Sequence, residues 1–114
     1  MTVFVVHWQE EELREHLVRL EAEGLDLVGH WNIEDHVHLR ASLPDVLVIS
    51  LDRLPSHGRA IADWLWEGRS RRHIPIIFAG GKPDKVESAQ IRFPEAWFCE
   101  WEEVPERLAK LAAS

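Results

Sequence analysis

Seven histidines in a chain of 114 residues raise the question of metal or acid–base chemistry, so their spacing comes first. His36 and His38 are two apart in a segment of helical pattern, which points them in different directions. No Cys or Glu completes a closed ligand set with them at a recognisable spacing, and no metal site is expected there. His7 follows one apolar run, Ser50 and Asp52 close a second, and Glu100 closes a third. A fold that gathers the ends of these runs would bring His7, Asp52 and Glu100 to one rim. Such a cluster could bind a transition ion or titrate near neutral pH; a hydrogen-bonded cluster with no ligand is the other reading. Ser50 could neighbour His7 but lacks the G-x-S-x-G elbow of a nucleophile, and reads as a hydroxyl capping a strand end. Gly80-Gly81-Lys82 lacks the rest of a G-x-x-x-x-G-K phosphate loop and reads as a flexible turn before Pro83. Cys99, the single cysteine, can form no intramolecular disulfide and is expected in the core.

The elements that must position these residues follow from hydrophobic periodicity. Pro44 to Gly58, PDVLVISLDRLPSHG, opens on a proline turn, continues apolar from Val46 to Ile49 and then turns polar. An unbroken Val/Leu/Ile run between turn residues is what a parallel strand buried on both faces requires. Thr2 to Val6 is a second such strand and Ile74 to Ala79 a third; Leu25 to Gly29 fits an edge strand and Ala96 to Glu100 a fifth. Between them the period becomes helical. Leu13, Leu17 and Leu20 form one stripe that Gly24 would cap; Ile33, Val37 and Ala41 mark a second helix behind an Asn32 cap with Asp35 three residues on. A third helix is expected after Gly58 to about Gly68 or Ser70, with Ile61, Ala62 and Leu65 inward and Trp66 on the other side. The weakly patterned Asp84 to Arg92 follows Pro83, and an Ala-rich helix from Pro105 turns Val104, Leu108 and Leu111 inward. Five strands alternating with five helices predict a doubly wound parallel α/β sheet, and the absence of G-x-G-x-x-G after the first strand removes the dinucleotide fingerprint.

Composition bounds the partners. The length predicts one domain spanning residues 1–114. A net charge of −7 argues against nucleic acid, whose backbone needs clustered Lys and Arg; the one basic cluster, Arg69 to His73, reads as a solvated helix end. No apolar run approaches the roughly 20 residues of a membrane span, and no signal-like segment stands out, so a cytoplasmic protein is expected.

VFVVHWQEEELREHLVRLEAEG, PDVLVISLDRLPSHG, HIPIIFAGG and AWFCEW together resemble the receiver domain of response regulators, the phosphoacceptor module of two-component signalling. The resemblance covers nearly the whole chain and implies the flavodoxin-like strand order 2-1-3-4-5. A working receiver holds magnesium with two acidic residues after the first strand; the matching positions here are His7 and Trp8, while Glu10, Glu11 and Glu12 belong to the first turn of a helix, complementing its dipole. The phosphoacceptor position falls on Ser50 when counted from Pro44-Asp45 or from Gly58, and on Leu51 when counted from Pro55. Asp52 lies close by, and a local bulge could bring it near. The expected hydroxyl is matched by Gly80 and the expected lysine by Glu100, an inversion of charge.

The resemblance therefore implies a degenerate receiver whose former phosphorylation pocket is His7, Trp8, Ser50, Asp52, Gly80 and Glu100, with no cofactor and no enzymatic activity. Receivers dimerise or dock partners through the face of helix 4, strand 5 and helix 5, which makes Trp97 and Trp101 candidates for an interaction surface with a protein partner or a second copy. The alternative for this pair is structural: Trp97 in the core and Trp101 over the abandoned pocket beside Trp8. The function expected is phosphorylation-independent protein–protein interaction in signalling or regulation. A small-ligand or metal sensor using the rim is the alternative, and an enzyme ranks last because no nucleophile is paired with a base at motif spacing.

Overall fold

Five short strands, each a run of β-branched and apolar residues, alternate with helices along the chain. The computed structural model describes residues 1–32, 36–53 and 55–113, without the side chains of 36–38 and 55. In order the elements are β1 (Thr2–Val6), α1 (Glu10–Leu20), β2 (Asp26–His30), α2 (His36–Ala41), β3 (Val46–Ser50), α3 (Pro55–Glu67), β4 (Ile76–Ala79), α4 (Pro83–Arg92), β5 (Trp97–Cys99), a 3-10 turn (Trp101–Glu103) and α5 (Val104–Ala112). The sheet is parallel throughout, ordered β2-β1-β3-β4-β5. That is the doubly wound parallel sheet the alternation predicts, in the flavodoxin-like order the resemblance implies.

Side chains alternate across the strands, so each strand feeds two cores. Phe4, Val6, Leu47, Ile49, Ile76 and Phe78 pack with Leu39 of α2, Ile61, Ala62 and Leu65 of α3, and Ala89 and Phe93 at α4. Val3, Val5, Val46, Val48, Ile77 and Ala79 pack with Leu13 and Leu20 of α1 and Val104 and Leu108 of α5. β3 is buried at every position. Burying each such Val or Ile side chain contributes about 1.5–3 kcal/mol, which is why this apolar run lies at the sheet centre.

Several boundaries differ from the periodicity reading. α1 ends at Leu20, and Gly24 (φ +85°) instead serves the turn into β2. α3 begins at Pro55, so Gly58 lies inside the helix; a Cβ there would stand 2.4 Å from Ile49 Cγ2, and its absence lets α3 close on the tip of β3. Ala41 is exposed and Leu39 is the buried residue of α2, a six-residue helix too short for a full apolar stripe. Trp66 is half-buried and meets Phe93 edge-to-face at 5.2 Å, because the end of α4 offers a second apolar wall beside α3. β4 starts two residues later than expected, β5 is one residue shorter at each end, and a 3-10 turn carries Trp101. Ile33 and Asp35, with the side chains of His36, Val37 and His38, lie outside the described residues. Among the described residues no helix is long and apolar enough to cross a membrane.

Candidate functional site

The C-terminal ends of parallel strands form the natural crevice of a doubly wound sheet, because the connections leave it there on both sides of β1 and β3. Backbone ladders carry β1, β3 and β4 one residue past their strands: His7 N–H donates to His30 O at 3.1 Å, Leu51 N–H to Ala79 O at 2.9 Å, and Gly80 N–H to Cys99 O at 3.0 Å. These bonds fix the backbone that presents the candidate residues.

His7 is 1 % exposed. Its Nε2 lies 2.7 Å from Glu12 Oε1. An ionised carboxylate only accepts, so Nε2 carries the proton, and Nδ1 is buried with no partner among the described residues. Glu12 reaches His7 because Gln9 caps α1: its side-chain oxygen accepts the Glu12 N–H at 2.6 Å and sets the helix entry. The Glu12 carboxylate also takes two bonds from Arg53, Nε to Oε1 at 2.9 Å and Nη2 to Oε2 at 2.5 Å. Arg53 first, and His7 second, hold Glu12 well below its usual range, at about 2. Glu12 therefore does more than complement the helix dipole.

Trp8 turns away from this network and meets His57 of α3 edge-to-face at 5.5 Å. Ser50 is fully buried, and its Oγ accepts the Asp52 N–H at 3.1 Å, the self-closing turn that Ser favours at a strand end. His7 Nδ1, the nitrogen left to act as a base, has no hydrogen-bond partner among the described residues, so the Ser50–His7 pairing of a nucleophile and its base is not assembled.

Asp52 does reach the crevice. Its Oδ1 accepts the Gly81 N–H at 2.8 Å and its Oδ2 the Trp101 indole N–H at 2.9 Å. Gly80 and Gly81 hold φ of +70° and +94°, the left-handed region glycine enters without penalty. At Gly80 space matters as much as conformation: a Cβ would stand 2.4 Å from Asp52 Oδ2. Any side chain at position 80 would require the Asp52 carboxylate to leave its present place.

Trp101 closes the crevice. Its ring stacks on His16 of α1 at 3.7 Å and 12°, with His7 edge-on at 6.0 Å. Burial, and then the neighbouring His7, push the His16 imidazole below its ordinary 6.5. Beside the stack a cleft of about 40 Å³ is lined by His16, Arg19, Leu20, Trp101 and Glu102. Glu100 stays outside this cluster: it is exposed and caps the 3-10 turn in a reciprocal box with Glu103, lining a groove of about 240 Å³ with Gly80, Val86 and Phe98. Trp97 is half-buried, leans on the α1–α5 core and carries the Arg107 guanidinium 5.1 Å from its ring centroid.

The structure thus brings His7, Ser50, Asp52 and Gly80 together and turns Trp8 and the Glu100 side chain elsewhere. Glu12, His16, Arg53 and Gly81 were missed. Their signal was present: Glu12 and His16 share one helix face at i, i+4, and Arg53 adjoins Asp52.

The residues do not fit magnesium. A hard dication wants several carboxylate or carbonyl oxygens. Here an imidazole and an indole follow β1, and both oxygens of Asp52 are already bonded to N–H donors. Among the described residues no group of three or more His, Cys, Asp or Glu is arranged to hold a metal ion.

No family model matches the chain, and no curated protein matches it in sequence. Solved structures do. The signal receiver domain of a DNA-binding response regulator from Colwellia psychrerythraea 34H superposes with a TM-score of 0.77 at 16% identity, over 100% of this chain and 99% of that one. The receiver domain of Francisella response regulator 1452 gives 0.74 at 16%, over 96% and 94%. The N-terminal domain of a response regulator receiver protein from Methanoculleus marisnigri JR1 gives 0.65 at 17%, over 87% and 80%. At such identities the shared property is the fold, and the chain has the fold of response-regulator receiver domains.

Proposed function

We propose that this chain is a degenerate receiver: one non-catalytic domain that acts in a signalling or regulatory assembly through protein–protein contact, independently of phosphorylation. The observation that carries the proposal is the state of Asp52, the carboxylate nearest the acceptor position. Both its oxygens are occupied by donors from within the chain, and the indole that supplies one of them sits across the crevice. Phosphoryl transfer needs an open carboxylate, a metal to neutralise developing charge, and a hydroxyl and cation to receive the product. Trp8, Gly80 and Glu100 stand at three of those positions. The same plug speaks against a small ligand bound over Asp52, while the groove beside Gly80 and Glu100 lies outside it.

The docking face proposed is β5 with its flanking helices, where Trp97 and Arg107 form a cation–π pair and Ile91 of α4 is 77% exposed. Trp and Arg are the residues that most often carry interface energy. Trp101 serves this face indirectly, by holding the 3-10 turn that leads into α5. The test is incubation with acetyl phosphate and Mg²⁺ followed by intact-mass measurement. No adduct is expected; a stoichiometric phosphoryl group on Asp52 would overturn the proposal.

A further inference from the structure

The basic cluster Arg69 to His73, between α3 and β4, converges with the end of α2 on one indole. The Arg71 guanidinium lies 4.1 Å from the Trp64 ring centroid and that of Arg40 lies 5.7 Å away. Arg71 is held in place: Nε and Nη2 donate to the Trp64 carbonyl at 3.2 and 2.8 Å, and Gly68 leaves the room it occupies, since a Cβ there would stand 2.4 Å from Arg71 Cζ. Among the described residues Arg40, Arg69, Arg71 and Arg72 form no ion pair with a carboxylate, whereas Arg14, Arg53, Lys85, Arg92 and Lys110 each do. Arg19, Arg59, Lys82 and Arg107 also form no ion pair among the described residues, so what marks this group is that two of its guanidinium groups converge on one indole beside a run of further arginines. The patch precedes β4, at the end of the sheet opposite the Asp52 crevice.

We propose that Arg40, Trp64, Arg69, Arg71 and Arg72 form a docking surface for an acidic segment of a partner protein. Guanidinium groups match carboxylates with two parallel N–H donors; Arg71 spends its Nε–Nη2 edge on the Trp64 carbonyl and, held there against the indole, keeps its Nη1 side for a partner, while Arg40, Arg69 and Arg72 keep whole forks. The occupant is a short acidic peptide and not a nucleic acid, because a long polyanion would extend past the patch onto a surface that is otherwise net negative. A compact acidic segment can be met within one screening length of about 8–10 Å.

The test measures fluorescence anisotropy of a fluorescein-labelled poly-glutamate peptide titrated with the chain at low salt. The triple variant Arg40→Ser/Arg69→Ser/Arg72→Ser leaves the Arg71–Trp64 brace intact, and circular dichroism checks its fold. At two- to threefold per exposed pair, its affinity falls about tenfold or more. A charge-matched Lys82→Ser/Lys85→Ser/Lys110→Ser variant binds like the parent. Absence of binding by the parent chain, equal loss in both variants, or tighter binding of a single-stranded DNA oligonucleotide would overturn the assignment. So would self-association at low salt that the arginine variant abolishes, which would make the occupant a second copy. None of these outcomes bears on the Asp52 crevice, which the phosphodonor assay tests separately.

Discussion

Replacing Gly80 by alanine isolates the contact that sets this crevice apart. The substitution has two costs. A non-glycine residue at φ +70° pays roughly 1–2 kcal/mol for the left-handed conformation. The new Cβ, 2.4 Å from Asp52 Oδ2, also drives the carboxylate away from Gly81 N–H and the Trp101 indole. Bonds to a charged acceptor contribute about 1.5–3 kcal/mol when buried, and solvent exposure at Asp52 reduces each to about 1 kcal/mol, so displacement adds roughly 2 kcal/mol. Gly24 provides the reference: it has φ +85° and nothing within 4 Å of its would-be Cβ, so Gly24→Ala reports the conformational term alone. In urea melts, Gly80→Ala should lose about 2 kcal/mol more than Gly24→Ala. In an Asp52→Ala background that excess should vanish, giving a coupling of about 2 kcal/mol between positions 80 and 52. An equal excess in both backgrounds would refute the account, since the cost would then owe nothing to the carboxylate.

Two titrations follow from the same network. Glu12, held at about 2 by Arg53 and then by His7 against an ordinary 4.5, contributes stability that is fully present above pH 4.5 and lost as pH falls toward 2; Glu12→Gln should abolish that part of the acid limb in urea midpoints measured across pH, and an unchanged limb would contradict the pairing. His16, lowered chiefly by burial, binds its proton less readily folded than unfolded, so its contribution is present above about pH 6.5 and eroded below. His16→Gln should flatten the stability profile between about pH 7 and pH 5; Asp52 and Glu12 oppose the lowering and Arg19 and His7 favour it, so a steeper profile would mean that the acids dominate.

How far the sequence carried the reading depends on the range of the physics involved. The strands were legible because burial on both faces of a parallel sheet demands uninterrupted apolar runs, and Thr2–Val6 and Val46–Ile49 supply them. α1 was legible from Leu13, Leu17 and Leu20, which repeat at the helical period. α3 was placed late because Gly58 read as a loop residue; its role is set by Ile49 of β3, directly under the helix, a contact no local pattern encodes. The crevice followed the same division. That His7, Ser50, Asp52 and Gly80 would meet at the strand tips follows from topology. That Glu12 turns inward and Glu100 outward depends on caps, Gln9 for one and the Glu100–Glu103 box for the other, and both acids look alike in sequence.

These substitutions also compensate one another. A receiver crevice collects carboxylates, and something positive or hydrogen-donating must offset them. Where the resemblance places a metal after β1 and a lysine after β5, this chain has Trp8 and Glu100, and the offset is moved to Arg53 on the β3–α3 loop and to the indole of Trp101. Glu12 and Asp52 are thereby satisfied by permanent donors instead of exchangeable ones. A ligand or modification shifts a conformational equilibrium only by as much as it prefers one state over the other. With both carboxylates bonded within the chain, a phosphoryl group gains no new cation and must displace existing bonds. On the proposed reading of a degenerate receiver, the arrangement favours one conformation, and regulation comes from what docks on the outer faces.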